Sequence, residues 1–231
     1  MKSSNTVKTS RSLLLFLKEP VVGQVHPHMA TEVGEDTSLL RYQAQVSVLL
    51  QQLHGLEDTS LRICYAPHDA GEAIRFWLLP QLDGALRALP DEEAYMLSPH
   101  SSCQSLKIDF EPQTSGTQSE RIEHARSNAR NDGFDTIAVM GANALECGAR
   151  WINMAMMMCE KTQKPIHGES PEKGIYLSVT QPDSGQQTSL AQLPPLNKIR
   201  NDADWSSALD SPLGAKLKKE LQKLTGSDLQ D

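Results

Sequence analysis

Cysteine is scarce in this sequence and never closely paired. Cys64, Cys103, Cys147 and Cys159 stand far apart with no C-x-x-C, which argues against a zinc cluster or a disulfide framework and for reduced thiols, Cys64 and Cys159 in the core. Aromatic residues make up only 5% of the chain, and 22 lysines and arginines are outnumbered by 29 aspartates and glutamates. A net charge of -7 excludes a nucleic-acid binder, because phosphate backbones are held chiefly by clustered Lys and Arg. Long apolar runs are missing too. The two longest, 12–17 and 151–159, fall far short of the roughly 20 residues a spanning helix requires, so no membrane role is expected. The polar, basic start lacks the apolar core and cleavage site of a secretory signal, which places the protein in the cytoplasm. No G-x-x-x-x-G-K-[ST], G-x-G-x-x-G or G-x-S-x-G is present, which removes the P-loop, dinucleotide and nucleophile-elbow classes.

What remains is a regular alternation of strands and helices. Continuous apolar runs at Leu13–Leu17, Leu61–Ala66 and Asp135–Gly141 predict buried strands, with weaker strands at Ala94–Leu97 and Ser105–Phe110. Helical spacing predicts helices over Leu39–Leu53, Gly71–Leu79 with a stop at Pro80, Thr117–Asn131, Leu145–Lys161 and Pro212–Leu224. Two short strands are expected around 169–174, followed by a mobile loop over 181–189. The pattern predicts a three-layer α/β/α sandwich with a mostly parallel sheet. Residues 1–11 read as a flexible lead, 12–210 as the α/β domain, and 211–231 as a C-terminal helix and tail.

Ligands of such sheets sit beyond the carboxyl ends of the strands, so the loop Lys18 to Met29 after the first strand is the first candidate site. Lys18 at its entrance faces a ligand or is an ordinary surface lysine. His26 and His28 flank Pro27, and with Glu172 as a third donor they could ligate a transition metal; otherwise they sit in a solvated loop. Glu120 and Arg121 read as a helix-surface charge pair or a contact of the first turn rather than a catalytic pair. Met154, Met156, Met157 and Met158 beside Trp151 predict core packing or a contact between two copies of the chain.

Five segments, in order, then resemble one family. Phe16, Lys18, Pro20 and Gly23 match an F-x-K-x-P-x-x-G-x-x-K-T-R-L loop. Gly116–Ile122 is similar to G-D-L-G-E-R-L, with Glu120 and Arg121 matching, and Gly133–Leu145 is similar to G-F-x-x-V-x-x-G-S-D-x-P-x-L. Gly168–Leu177 resembles G-P-A-x-D-G-G-Y-Y-L, and Leu193–Leu196 with Asp204 and Trp205 resembles L-P-x-L-x-D-V-D-T-x-x-D-W. This is the pattern of small glycosyltransferase-like proteins of the nucleotide-diphospho-sugar transferase superfamily, of the radical-SAM- and selenoprotein-domain-associated type. The resemblance implies a Rossmann-like GT-A fold, a nucleotide-activated donor such as a nucleotide sugar, glycosyl or nucleotidyl transfer, and a Mg²⁺ or Mn²⁺ ion held by aspartates. It assigns Lys18, Gly23, His26, His28 and the turn glycine Gly141 to donor binding, Asn143 and Glu172 to the metal position, and Glu172 with Lys173 to the chemistry.

The departures fall on those positions. His26-Pro27-His28 replaces Lys-Thr-Arg, Asn143 replaces an aspartate, Glu172-Lys173-Gly174 replaces D-G-G, and Lys198-Ile199-Arg200 replaces D-V-D. Each charge-assisted hydrogen bond to a diphosphate is worth about 1.5–3 kcal/mol, and a lost carboxylate weakens a Mg²⁺ site. Two expectations follow. In one, an eroded transferase binds its metal weakly or not at all and uses Lys173, Lys198 and Arg200 as fixed cations on a leaving phosphate. In the other, the scaffold is a non-catalytic binding or assembly module, with a homodimer as one form.

Overall fold

The structure is a computed structural model that describes residues 10–87, 107–172, 174–182 and 192–226. The lead up to residue 9, the strand expected at Ala94–Leu97, Cys103, Lys173, most of the 181–189 loop and the last five residues lie outside the described residues.

Strand β1 (Arg11–Lys18) is buried along both faces, as its unbroken leucine run requires, and it lies at the centre of the sheet. It pairs in parallel with β2 (Thr59–Ala66) on one side and β4 (Thr136–Gly141) on the other, while β3 (Ile108–Pro112) continues the parallel set beyond β2. Past β4 the chain adds β6 (Ile175–Thr180), antiparallel to both β4 and β5 (Ile166–Glu169), and the short β7 (Gln192–Leu193), parallel to β5. The order is β3-β2-β1-β4-β6-β5-β7, with β6 alone running against the rest.

Alternation along the strands divides the core in two. Leu13, Leu15, Leu17, Leu61, Ile63, Ala138 and Met140 face a large cluster built with α2 (Glu35–Gln52), α3 (Gly71–Arg87) and α5 (Ala149–Thr162), and completed by α1 (Pro27–Val33), α6 (Asp202–Leu209) and α7 (Gly214–Thr225). Leu14, Cys64, Ile137 and Val139 face the opposite way, onto Ala125 and Ala129 of α4 (Gln118–Asn131). The layers are helices, sheet, helix. Cys64, Cys147 and Cys159 are buried free thiols, and burial pushes each pKa up, so all three stay protonated.

Four sequence expectations need correction. Pro80 does not end α3, which continues to Arg87. Phe76 and Pro80 lie on the solvent side, so the carbonyl freed by the missing N–H meets water, and Gln81 Nε2 donates to the Trp77 carbonyl (2.9 Å). Leu78 and Leu82, one turn apart, carry the buried stripe through the break. Pro27 does not sit in a loop but occupies the first position of α1, where a missing N–H has no helical partner to lose. The helix expected from Leu145 starts at Ala149, after a turn. Three elements, α1, α6 and β7, were not expected at all. In the methionine run, Met156 is fully buried, Met154 and Met158 are partly buried and Met157 is exposed.

Candidate functional site

The carboxyl ends of β1 and β4 lie side by side, with Phe16 in register with Gly141 and the Ala142 amide donating to the Phe16 carbonyl (3.1 Å). Past these ends both chains turn away and leave a cleft of about 350 Å³. Lys18, His26, His28, Gly141 and Asn143, separated by as many as 125 positions in the chain, all line it.

The loop after β1 is fixed from the helix layer. The Tyr42 hydroxyl accepts from the Lys18 amide (2.8 Å) and donates to the Lys18 carbonyl (2.9 Å), and Lys18 Nζ donates across the loop to the Gln24 carbonyl (3.2 Å). Gly23 takes a positive φ of 76° that a side chain would resist, and it borders the Glu35 carboxylate rather than the cleft. Its place is in the turn. His26 has left-handed backbone angles and its ring meets Tyr42 edge-on, with centroids 5.3 Å apart. Burial lowers its pKa, Gln45 opposes that shift, and the nearby Lys18 cation adds to it, so the imidazole is neutral at pH 7. The Gln45 amide in turn donates to the Ala142 carbonyl (2.6 Å), joining the loop's support to the turn after β4.

The opposite wall comes from β3 and α4. Gln113 Nε2 donates to the carbonyls of Leu17 (3.2 Å) and Cys64 (2.7 Å), while its Oε1 accepts from Arg121 (2.9 Å). One amide thus ties together the ends of β1, β2 and β3 and aims a guanidinium at the cleft. Arg121 is therefore not the surface partner of Glu120. Glu120 instead completes a capping box with Thr117, accepting from its amide (2.7 Å), and this holds its carboxyl pKa down.

The third wall is the segment before α6. Ile199 donates its amide to the Asn143 carbonyl (2.9 Å), which sets Arg200 beside the β4 turn, and the Arg200 amide donates to Asp204 (2.9 Å). The Arg200 guanidinium is ion-paired with Glu172 and lies 3.4 Å from Asp204. Glu172 therefore reaches the cleft only through Arg200. Lys198, half-buried with its pKa lowered by burial and by Arg200, places its amine against Gly174, outside the cleft wall. Lys173 lies outside the described residues.

Lys18, Arg121 and Arg200 face the cleft, and none of the described residues lining it is a carboxylate. That arrangement suits a multiply charged anion. It does not suit a Mg²⁺ or Mn²⁺ ion, which needs one or two free carboxylates, whereas the donors here are one neutral amide, Asn143, and one carboxylate already bound to Arg200. Among the described residues no group of three or more His, Cys, Asp or Glu side chains could hold a metal, so His26, His28 and Glu172 do not assemble as a ligand set. Gln113, Tyr42 and Gln45 carried no sequence signal, since their roles are bonds to main chain far away in the sequence.

His26, His54 and His167 all have pKa values lowered chiefly by burial. Below the unfolded value near 6.5 the unfolded chain takes up these protons first, so stability is full above that pH and falls as pH drops through it. The thermal midpoint is expected to fall between neutral pH and about pH 5, and His26→Gln to flatten the profile; His26 contributes up to about 1.4 kcal/mol per pH unit. An unchanged profile in the variant would contradict this.

No family model and no curated protein sequence matches the chain. Solved structures do. A provisionally assigned nucleotide-diphospho-sugar transferase from Desulfovibrio desulfuricans G20 is similar with a TM-score of 0.67 and 22% identity, over 93% of this chain and 98% of that one. A 4-diphosphocytidyl-2C-methyl-D-erythritolsynthase from Anaerococcus prevotii DSM 20548 is similar with a TM-score of 0.51 and 8% identity, over 86% of this chain and 95% of that one. The fold is that of GT-A-like nucleotide-diphospho-sugar transferases and nucleotidyltransferases. No helix among the described residues is long and apolar enough to cross a membrane.

Proposed function

We propose that the chain binds a nucleotide-activated donor in the cleft at the strand ends and is a transferase-like protein for a glycosyl or nucleotidyl group. The observation that carries this is the convergence of Lys18, Arg121 and Arg200 on one cleft with no carboxylate among the described residues that line it. Phe16, Val25 and Ile199 add apolar wall between these cations, which suits a ligand with a flat or sugar portion beside its phosphates. The similar folds point the same way, since both neighbours' names include a nucleotide diphosphate. In this reading Lys18 and Arg121 take the phosphates, His26 and His28 border the donor, and Gly141 allows close approach at the β4 turn.

Thermal-shift measurements against nucleotide sugars and nucleoside triphosphates, with and without Mg²⁺ or Mn²⁺, test it. A ligand at a hundred times its Kd is expected to add about 2.7 kcal/mol of stability, a clear rise in midpoint. Silence across the panel would refute the donor reading.

A second reading is a non-catalytic binding or assembly module. It is favoured by the neutral Asn143 at the turn after β4 and by the engagement of Glu172 with Arg200, which leave the described residues of the cleft wall without a free carboxylate as base or metal ligand. Nucleotide binding without turnover of any donor, together with a stable dimer in solution, would support it.

A further inference from the structure

We propose that the cleft grips a diphosphate-type anion without a divalent cation, the Arg200 guanidinium standing where a metal ion would. This rests on the nucleotide-ligand reading above and goes further, because it states how the charge on the ligand is met.

Arg200 is held in place before any ligand arrives. Its main chain is bound to Asp204, the residue before it is bound to the Asn143 carbonyl, and its guanidinium is paired with Glu172 and lies 3.4 Å from the Asp204 carboxylate. The side chain sits about a third exposed (36%), while Glu172 is 62% exposed and lies outside the cleft. A guanidinium has five N–H donors in a fixed fork, so it can keep the Glu172 and Asp204 carboxylates, both outside the cleft lining, and still offer an N–H to an anion within the cleft. Arg121, aimed by Gln113, presents a second fork from the other wall. Lys18 supplies a third charge at the mouth.

A divalent ion carried in by the ligand would meet these three cations and, among the described residues of the lining, no free carboxylate. Its charge would be repelled where the bare anion is attracted. Glu172 then has a role opposite to that of a metal ligand: it competes with the incoming anion for Arg200. This gives the inference a test with opposite signs.

Titration calorimetry of the full chain with inorganic pyrophosphate, and with UDP and CDP, is to be run in EDTA and again in excess Mg²⁺. Binding is expected in EDTA, with Mg²⁺ leaving the affinity unchanged or lowering it. Arg200→Gln is expected to weaken binding about ten- to a hundredfold, the loss of one charge-assisted pair, and Arg200→Lys to retain part of it. Glu172→Gln is expected to tighten binding about threefold or more, by releasing the guanidinium. Thermal midpoints of the variants identify any that fail to fold, and the Glu172 variant, which gains affinity, cannot be mistaken for one. Binding that requires Mg²⁺, or that is lost in Glu172→Gln, overturns the inference and leaves the nucleotide reading standing. No binding of any of the three probes under either condition overturns both.

Discussion

Trp205→Ala is expected to destabilise the protein by about 3–5 kcal/mol, measured as a lower urea midpoint at unchanged m. Trp205 is only 2% exposed and is the largest fully buried side chain described. The guanidinium of Arg41 in α2 stacks over its ring at 5.3 Å and pairs with Asp202 at 2.5 Å, while Glu32 of α1 accepts from the Asp202 amide at 2.7 Å. Removing the indole leaves a cavity and also takes away the surface on which that cation rests. Helix α6 begins two residues after Arg200, capped by Asn201. The loss therefore extends to function: a loosened α6 no longer holds Arg200 beside Asn143, and pyrophosphate affinity is expected to fall along with stability. Trp205→Phe, which keeps most of the volume, is expected to cost less than half as much. Equal losses for the two variants would contradict the cavity argument.

Gly168→Val is the second large effect, expected at about 3 kcal/mol or more. A Cβ at Gly168 would lie 2.2 Å from Cζ of Tyr176 and 2.5 Å from its hydroxyl oxygen, against the phenol end of a ring on the neighbouring strand. Tyr176 is 2% exposed and donates its hydroxyl to the Pro194 carbonyl at 2.7 Å, so the ring is held at both ends and cannot swing aside. The substitution must part β5 from β6 or break the bond to Pro194. Either outcome disturbs the segment running from β7 to Arg200. Gly168→Ala is expected to show the same effect at smaller size, and a neutral result for both would show that the strand pair yields more easily than its packing implies.

The same glycine and tyrosine show how far the sequence can be read. Both belong to the segment that resembles a family hairpin, and in the structure they are a packing pair rather than chemistry, so the resemblance there marks the fold. The central strands were legible for a simple reason: β1 and β4 are covered on both faces, and burial on both faces writes an unbroken apolar run. Helix α2 was legible because its buried residues recur from Ser38 to Leu50, more than three turns. The seven-residue α1 was not, since a helix that short has no period to detect, and Pro27 looked like a loop residue until its place at the helix start was seen. Helix α6 was hidden by the same shortness, although Asn201 caps it through the Asp204 amide at 2.8 Å.

The site divides in the same way. Lys18, His26, His28, Gly141 and Asn143 were singled out from the sequence and share one cleft. Arg121 was noted and misplaced, because the neighbouring Glu120 suggested a surface pair, whereas a capping box takes the glutamate away and leaves the arginine to Gln113. Gln113 was invisible. A glutamine that bonds two main-chain carbonyls at the ends of two other strands depends on sheet order, which no local pattern encodes.

Tyr42 bonds both the amide and the carbonyl of Lys18, at the end of β1 beyond Phe16, the last residue that β4 pairs. The entrance to the cleft is thus shaped by a phenol anchored in α2, not by whatever molecule enters. An arriving ligand meets a doorway whose frame is already rigid, and little of its interaction energy is diverted into ordering protein. Selectivity at this entrance then depends on which guests fit a fixed outline, not on which can reshape it.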